Sequence, residues 1–266
     1  MARKLRARGL LIDLDGVFYN DYRPIVGGVD TVEWLQKHTI PHLFVTNTTS
    51  KSRAALAEKV VSLGIPIQEA DILTPAVAAS EWLRINRKGK IAVFVRASAR
   101  RDFRDLPLLA DDAEHGADSV VVGDLGDLWD YRTLNRAFRL LYHNPEAELI
   151  ALGMTRYWLA SSGISLDVAP FVAALEHAIG RKALVMGKPA AAFFRMATQK
   201  LGLSARDVLM VGDDIQADVA GAQKAGMRGC LVKTGKFRPS DLKGKIQPHT
   251  VLHSIADLSR WWTENT

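Results

Sequence analysis

Leu10-Leu11-Ile12-Asp13-Leu14-Asp15-Gly16 is an apolar run that ends abruptly in two acids and a glycine. Three consecutive large aliphatic residues with no polar alternation read as a strand buried on both faces, the kind found inside a parallel sheet covered by helices. The same grammar recurs along the chain. Strands are expected at Leu10–Asp13, His42–Thr46, Ile91–Val95, Ser119–Val122, Leu149–Leu152, Ala183–Met186, Val208–Val211 and Gly229–Val232. Between them the apolar period changes to that of helices. Leu134, Ala137, Phe138 and Leu141 recur at i, i+3, i+4 and i+7, and Leu56, Val60 and Leu63 do so after Ser50, the expected N-cap. Alternation of this kind from end to end gives an α/β fold class with a parallel sheet.

The middle of the chain has its own strands and helices. Thr74-Pro75 and Gly180-Arg181-Lys182 punctuate it on either side, so the organisation expected is a first core part at 1–76, an inserted domain at 77–182 and a second core part at 183–266. Composition narrows the class further. Of 266 residues, 48% are apolar and 24% charged, enough to bury a substantial core. Apolar runs such as Ile91–Val95 fall far short of the roughly 18 residues a spanning helix needs, so no membrane association is expected. The basic start is followed by an apolar stretch that Asp13 and Asp15 interrupt, which lacks the core of a signal peptide, and the single Cys230 fits a reducing compartment. The expected location is cytoplasmic.

A net charge of +6 raises the question of nucleic acid. The distribution argues against it: Arg84–Arg104 carries eight basic residues and one acid, whereas Asp105–Asp130 carries eight acids and no Lys or Arg. Adjacent blocks of opposite sign suggest two differently charged faces of one domain rather than a track for a phosphate backbone.

The chemistry sits just after the strands. Asp13 and Asp15 lie at the carboxyl end of a buried strand, where open α/β sheets bind ligands. If that strand stays extended both carboxylates point the same way, and their repulsion calls for a hard, oxygen-liganded cation such as Mg²⁺. Either acid could instead cap a turn. Val208–Val211 runs into a second cluster, Gly212-Asp213-Asp214-Ile215-Gln216-Ala217-Asp218, so that Asp13 and Asp213 can converge if the two strands are neighbours. Asp214 and Asp218 fall on the first turn of the following helix, where the dipole favours negative charge. Thr46 and Asn47 end the second strand and offer a hydroxyl, an amide and helix-start N–H groups to phosphate oxygens. Lys188, ahead of Pro189 at the first position of a helix, is expected at the sheet edge.

Asp13-x-Asp15-Gly16, Thr46-Asn47, Lys188-Pro189 and Gly212-Asp213-Asp214-x-x-x-Asp218, in that order, resemble the haloacid dehalogenase (HAD) superfamily of phosphatases. The large insert between the second and third motifs is similar to the C2-capped branch, subfamily IIA. Val45-Thr46-Asn47-Thr48-Thr49, Leu166-Asp167-Val168-Ala169-Pro170-Phe171 and Lys233-Thr234-Gly235-Lys236-Phe237-Arg238-Pro239-Ser240-Asp241 extend the likeness within it. The resemblance implies a Rossmann-like core with an α/β C2 cap, and a small phosphorylated substrate. It implies Asp13 as nucleophile, Asp15 as general acid and base, and Mg²⁺ held by the carboxylates of Asp13 and Asp213 and the backbone carbonyl of Asp15. Thr46, Asn47 and Lys188 would bind the phosphoryl group, with Asp214 and Asp218 in support. Arg156-Tyr157-Trp158 is the candidate specificity element of the cap, with Arg156 facing an anionic or ring-bearing leaving group. A homodimer is left open.

A second reading keeps the fold and discards the turnover: a phosphate-binding regulatory protein. Asp15 speaks against it, since a binder has no need of a proton donor beside the nucleophile. A dinucleotide-binding dehydrogenase is disfavoured because no Gly-x-Gly-x-x-Gly follows the first strand.

Overall fold

The computed structural model describes residues 7–86, 89–160 and 163–266. These divide into two compact units. The first comprises the described residues up to Thr46, Leu56–Leu73 and Lys188–Thr266; the second comprises Asn47–Ala55 and Thr74–Gly187.

A six-stranded parallel sheet organises the first unit. Its order from one edge is Thr250–Leu252, Arg228–Val232, Val208–Gly212, Gly9–Asp13, His42–Val45 and Ile72–Leu73. All five residues of Gly9–Asp13 are buried, which is why Leu10, Leu11 and Ile12 form an unbroken aliphatic run. Removing each such side chain from water contributes about 1.5–3 kcal/mol. On one face of the sheet Leu10, Ile12, Phe44, Leu209 and Val211 pack with Val32, Leu35, Leu56 and Val60 from two covering helices, Gly28–Lys37 and Arg53–Ser62. Phe18 meets Phe44 edge to face at 5.3 Å between ring centroids within this layer.

The second unit has its own four-stranded sheet, ordered Leu184–Val185, Glu148–Ala151, Ser119–Val122 and Ile91–Phe94, again parallel. Its core gathers Phe94, Val120, Val122, Leu140, Leu141, Leu149, Val172 and Leu175. Trp129 stacks on Phe94 and on Phe171, with centroids 5.9 and 4.8 Å away. An antiparallel hairpin, Tyr157–Ala160 with Gly163–Leu166, stands apart from that sheet and was not foreseen from sequence.

Three local expectations are corrected. Ser50 is not the cap of the helix Arg53–Ser62: Ser52 Oγ accepts the N–H of Ala55 at 3.2 Å, and Ser52 is buried. An N-cap side chain accepts an N–H two or three residues on; Ser52 stands just before Arg53 and does so, whereas Ser50 lies three residues ahead of the helix. The oppositely charged blocks do not form two separate faces, since Arg100 pairs with Asp111 at 2.8 Å and Arg96 with Asp124 at 3.1 Å. The cause is topological: Ile91–Phe94 and Ser119–Val122 are neighbouring parallel strands, so the loops that follow them meet. Finally, Pro189 lies in a turn, and the next helix starts at Ala191 with Ala190 as its extended N-cap.

The cap assignment is testable. Ser52→Ala strands the Ala55 N–H and is expected to lower unfolding free energy by about 1 kcal/mol in urea titrations followed by circular dichroism, whereas Ser50→Ala changes it by less than about 0.5. Equal effects at the two positions would refute the assignment.

Candidate active site

Neighbouring strands bring the motifs together at the carboxyl edge of the six-stranded sheet. Ile12 pairs with Val211 and Asp13 with Val45, so Asp13 ends its strand while Thr46 and Asp213 directly follow the ends of the neighbouring strands. One carboxylate oxygen from each of Asp13, Asp213 and Asp218 lies within 4.8 Å of the other two, and all three residues are buried. Three carboxylates this close must share compensating charge.

Lys188 supplies part of it. Its Nζ is 2.9 Å from Asp13 Oδ1 and 2.7 Å from Asp218 Oδ1, and its side chain is 2% exposed. Burial alone would lower the lysine pKa, but the two carboxylates outweigh burial and raise it, so the ammonium stays charged. Lys188 thus lies buried beside Asp13 at the carboxyl edge of the six-stranded sheet. The strand before it, Leu184–Val185, belongs to the other sheet, and the chain leaves it through the turn at Lys188-Pro189 to place the ammonium inside. Asp13 Oδ1 also accepts the N–H of Leu14 at 2.8 Å, the same oxygen that faces Lys188. Burial pushes the Asp13 carboxyl up from its ordinary range, against the opposing pull of Lys188.

Asp15 departs from the geometry expected of it. The strand stops at Asp13 and the chain bends at Leu14, whose side chain is fully buried, leaving Asp15 exposed while Asp13 is buried. Gly16 then adopts a φ of 80°, and its N–H donates to Tyr19 O at 2.7 Å to close the turn. The two acids are thus placed in different environments, one inside and one at the rim.

Asp213 has two unlike oxygens. Oδ2 accepts the backbone N–H of Lys236 at 2.7 Å, whereas Oδ1 is buried with no hydrogen-bond partner among the described residues. Burial, with Asp218 adding to it, pushes this carboxyl up to about 6. A buried, unpartnered carboxylate oxygen beside two other carboxylates fits a hard cation, which prefers oxygen ligands and supplies the missing charge. Asp214 Oδ1 caps the following π-helical segment Ile215–Ala220, accepting from Gln216 and Ala217 N–H at 2.9 Å each. Burial opposes ionisation of Asp214, but these donors and Lys236 hold its carboxyl below the usual range. Asp218 lies on that segment's first turn rather than on an α-helix, and its Oδ2 accepts the Asp214 N–H at 3.1 Å.

Thr46 is buried, and its backbone N–H donates to Leu73 O at 3.3 Å. Asn47 and Arg156 belong to the second unit. Arg156 is exposed, with its guanidinium carbon 5.7 Å from the ring centroid of Tyr157; the side chain of Trp158 lies outside what the structure describes.

Thr234-Gly235-Lys236 enters the sequence analysis only within the stretch that extends the family likeness, and its place beside Asp213 was missed. The available signal was the pattern used elsewhere, an apolar strand running directly into polar residues and a glycine. Here the strand is Arg228–Val232, next to Val208–Gly212.

Comparison with known proteins gives the family. The haloacid dehalogenase-like hydrolase profile matches residues 10–108, and the HAD-hydrolase-like profile matches residues 185–258. Human phospholysine phosphohistidine inorganic pyrophosphate phosphatase is 38% identical over 238 residues, covering 88% of this chain and 86% of that protein. The chain belongs to the haloacid dehalogenase-like hydrolase family. Bovine haloacid dehalogenase-like hydrolase domain-containing protein 2 is 37% identical, with 93% of this chain and 92% of the relative covered. Among solved structures, p-nitrophenyl phosphatase from Archaeoglobus fulgidus superposes with a TM-score of 0.84 at 28% identity, covering 97% of this chain and 99% of that one. The protein is thus a HAD hydrolase whose relatives include named phosphatases, and the α/β fold expected from the alternating pattern is the one observed.

Lys188 should be the electrostatic keystone of the metal-free protein. Lys188→Met leaves two buried carboxylates without their cation and is expected to cost about 3–5 kcal/mol in chelator-treated protein, read by urea denaturation. Adding Asp218→Asn should recover part of that loss. Unchanged stability in the single variant would show that the ammonium is not what balances Asp13 and Asp218.

Proposed function

We propose that the protein is a Mg²⁺-dependent phosphatase that hydrolyses a small phosphorylated substrate, a phosphomonoester, pyrophosphate or phosphoamide, through an aspartyl-phosphate on Asp13. The observation that carries the reading is the asymmetric handling of charge around Asp13: Lys188 and the Leu14 N–H both engage Oδ1, and the unpartnered Oδ1 of Asp213 lies in the same carboxylate cluster. Asp13, Asp213 and the backbone carbonyl of Asp15 would hold the ion. When bound, Mg²⁺ supplies charge neutralisation and a fixed orientation for an anionic phosphoryl group.

The chain's own residues account for the rest. Asp13 forms a bond from its carboxylate oxygen to phosphorus as the bond to the leaving group breaks. Asp15, free at the rim, delivers a proton to the departing oxygen or nitrogen. It then takes a proton from water as that water attacks phosphorus, which returns the Asp13 carboxylate and releases inorganic phosphate. Its exposure suits a group that must exchange protons in each half of the cycle. Lys188 neutralises charge on Asp13 and on the phosphoryl oxygens, and Thr46 and Asn47 bind the transferring group by hydrogen bonds. Asp218 holds Lys188 by direct contact, and Asp214 fixes the start of the segment that carries Asp218.

The second unit, including the block expected at 77–182, serves in this reading as the C2 cap that selects the leaving group, with Arg156 as its candidate contact. The substrate class is supported by the relatives' names, which give phospholysine, phosphohistidine, inorganic pyrophosphate and p-nitrophenyl phosphate as their substrates. The site is built for the phosphoryl group that these share.

Two experiments test the proposal. Purified protein is assayed on p-nitrophenyl phosphate and pyrophosphate, with chelator and with Mg²⁺ restored. Activity should vanish and return, and Asp13→Asn should lose at least about a thousandfold in kcat, roughly 4 kcal/mol of barrier, with an unchanged circular dichroism spectrum. Full turnover in chelator, or Asp13→Asn within tenfold of wild type, would sink the mechanism.

The second experiment separates leaving-group recognition from phosphoryl chemistry. Arg156→Ala should alter the ratio of kcat/KM between pyrophosphate and p-nitrophenyl phosphate, while Lys188→Ala should depress both alike, since a cation beside phosphorus acts on every transition state. A uniform loss for Arg156→Ala would remove it from specificity.

A further inference from the structure

Three contacts converge on one short loop that follows a strand of the six-stranded sheet. Thr234 Oγ1 donates to Gly16 O at 2.5 Å, across 218 residues of sequence. Two residues later the Lys236 N–H donates to Asp213 Oδ2 at 2.7 Å. Between them Gly235 has a φ of 58°, and a Cβ there would fall 2.0 Å from Asp213 Oδ2 and 2.5 Å from Gly16 Cα. Gly16 mirrors it: a Cβ on Gly16 would fall 1.9 Å from Asp213 Oδ2 and 3.1 Å from Gly235 Cα. The Asp213 carboxylate is therefore held between two backbones that approach it only because neither carries a side chain.

We propose that Thr234 is a positioning residue for the cation site: its hydroxyl ties the Asp15-Gly16 turn to the Thr234–Lys236 loop, and so fixes the Asp213 carboxylate in the rotation that leaves Oδ1 unpartnered. Oδ2 is already committed to the Lys236 N–H, so the loop decides which oxygen remains to ligate. The same hydrogen bond acts on the carbonyl of Gly16, one residue after Asp15, whose backbone carbonyl is the third ligand in the reading given above. One hydroxyl thus sets the spacing between ligands from two distant segments without itself touching ion or substrate. Hydrogen-bonding partners outside the ligand set orient ligands and tune affinity, and their loss commonly costs 10–100-fold in metal binding.

This inference rests on the reading of Asp13 and Asp213 as Mg²⁺ ligands, and the test distinguishes the two. Mg²⁺ binding to wild type, Thr234→Ser, Thr234→Val, Thr234→Ala and Asp213→Asn is measured by isothermal titration calorimetry and by the Mg²⁺-dependent rise in melting temperature. The Mg²⁺ concentration for half-maximal phosphatase activity is read in parallel. Thr234→Val and Thr234→Ala should weaken Mg²⁺ about tenfold or more, with a smaller loss in kcat at saturating Mg²⁺. Thr234→Ser keeps the hydroxyl and should stay within about threefold of wild type. Asp213→Asn should abolish the Mg²⁺ response. Should the valine variant fail to fold, the alanine and serine pair carries the comparison.

Wild-type Mg²⁺ affinity in both Thr234→Val and Thr234→Ala, with Asp213→Asn still defective, would overturn the positioning role and leave the metal reading standing. Failure of Thr234→Ser to restore affinity would also overturn it, because packing rather than the hydroxyl would then be at work. Absence of any Mg²⁺ response in wild type would overturn both.

Discussion

Everything at this site is arranged around a buried ammonium. Lys188 lies between Asp13 and Asp218 with its side chain almost wholly removed from water, a placement that would be prohibitive without two carboxylates in contact. The converse holds for the acids: Asp13 and Asp218 can both be buried only because the same cation serves each. The triad still carries excess negative charge, because Asp213 lies in the same cluster and Lys188 is committed elsewhere. One ammonium in contact with two of three buried carboxylates leaves the cluster short of positive charge, and burial pushes the Asp213 carboxyl up. An electrostatic deficit of that kind is what a divalent cation removes, and it exists because the sheet brings two acid-bearing strand ends side by side.

Much of this could be read from residues in order. Gly9–Asp13, Ser119–Val122, Val208–Gly212 and Arg228–Val232 were legible because a strand buried on both faces leaves no polar residue inside it. The convergence of Asp13 and Asp213 followed from the acids standing at strand ends. Short or edge pieces were not legible: Ile72–Leu73, Thr250–Leu252 and the hairpin Tyr157–Ala160 with Gly163–Leu166 carry too few residues or too mixed a pattern to show a period. Nor does periodicity say which sheet a strand joins. Leu184–Val185 has the composition of any interior strand, yet it pairs with Glu148–Ala151 in the second sheet.

Side-chain direction was the least accessible part. Asp13 and Asp15 are two residues apart, which in an extended strand means one side, but a fully buried Leu14 and a left-handed Gly16 turn the chain between them. What distinguishes the acids is therefore the bend and not the spacing. One is inside with Lys188, and the other is exposed where protons can be exchanged with solvent. In the proposed mechanism Asp13 as nucleophile needs a fixed position and Asp15 as proton carrier needs access, so the bend would separate two demands that an unbroken strand would impose on one environment.

The glycines complete that argument, because they set how close a carboxylate can be approached by backbone. Gly16 and Gly235 leave no room for a Cβ against Asp213, and a Cβ on Gly212 would fall 2.1 Å from Asp218 Oδ2. The three glycines come from separate segments, Gly212 from a strand end and Gly16 and Gly235 from turns, yet each borders an acid of the same cluster. A side chain at any of these positions would have to displace a buried carboxylate, and with it the balance Lys188 maintains. The site is defined as much by three missing side chains as by the charged ones present. A motif search keyed to acids and lysines therefore finds the charges at once, but does not find Gly235 or the loop that Thr234 anchors.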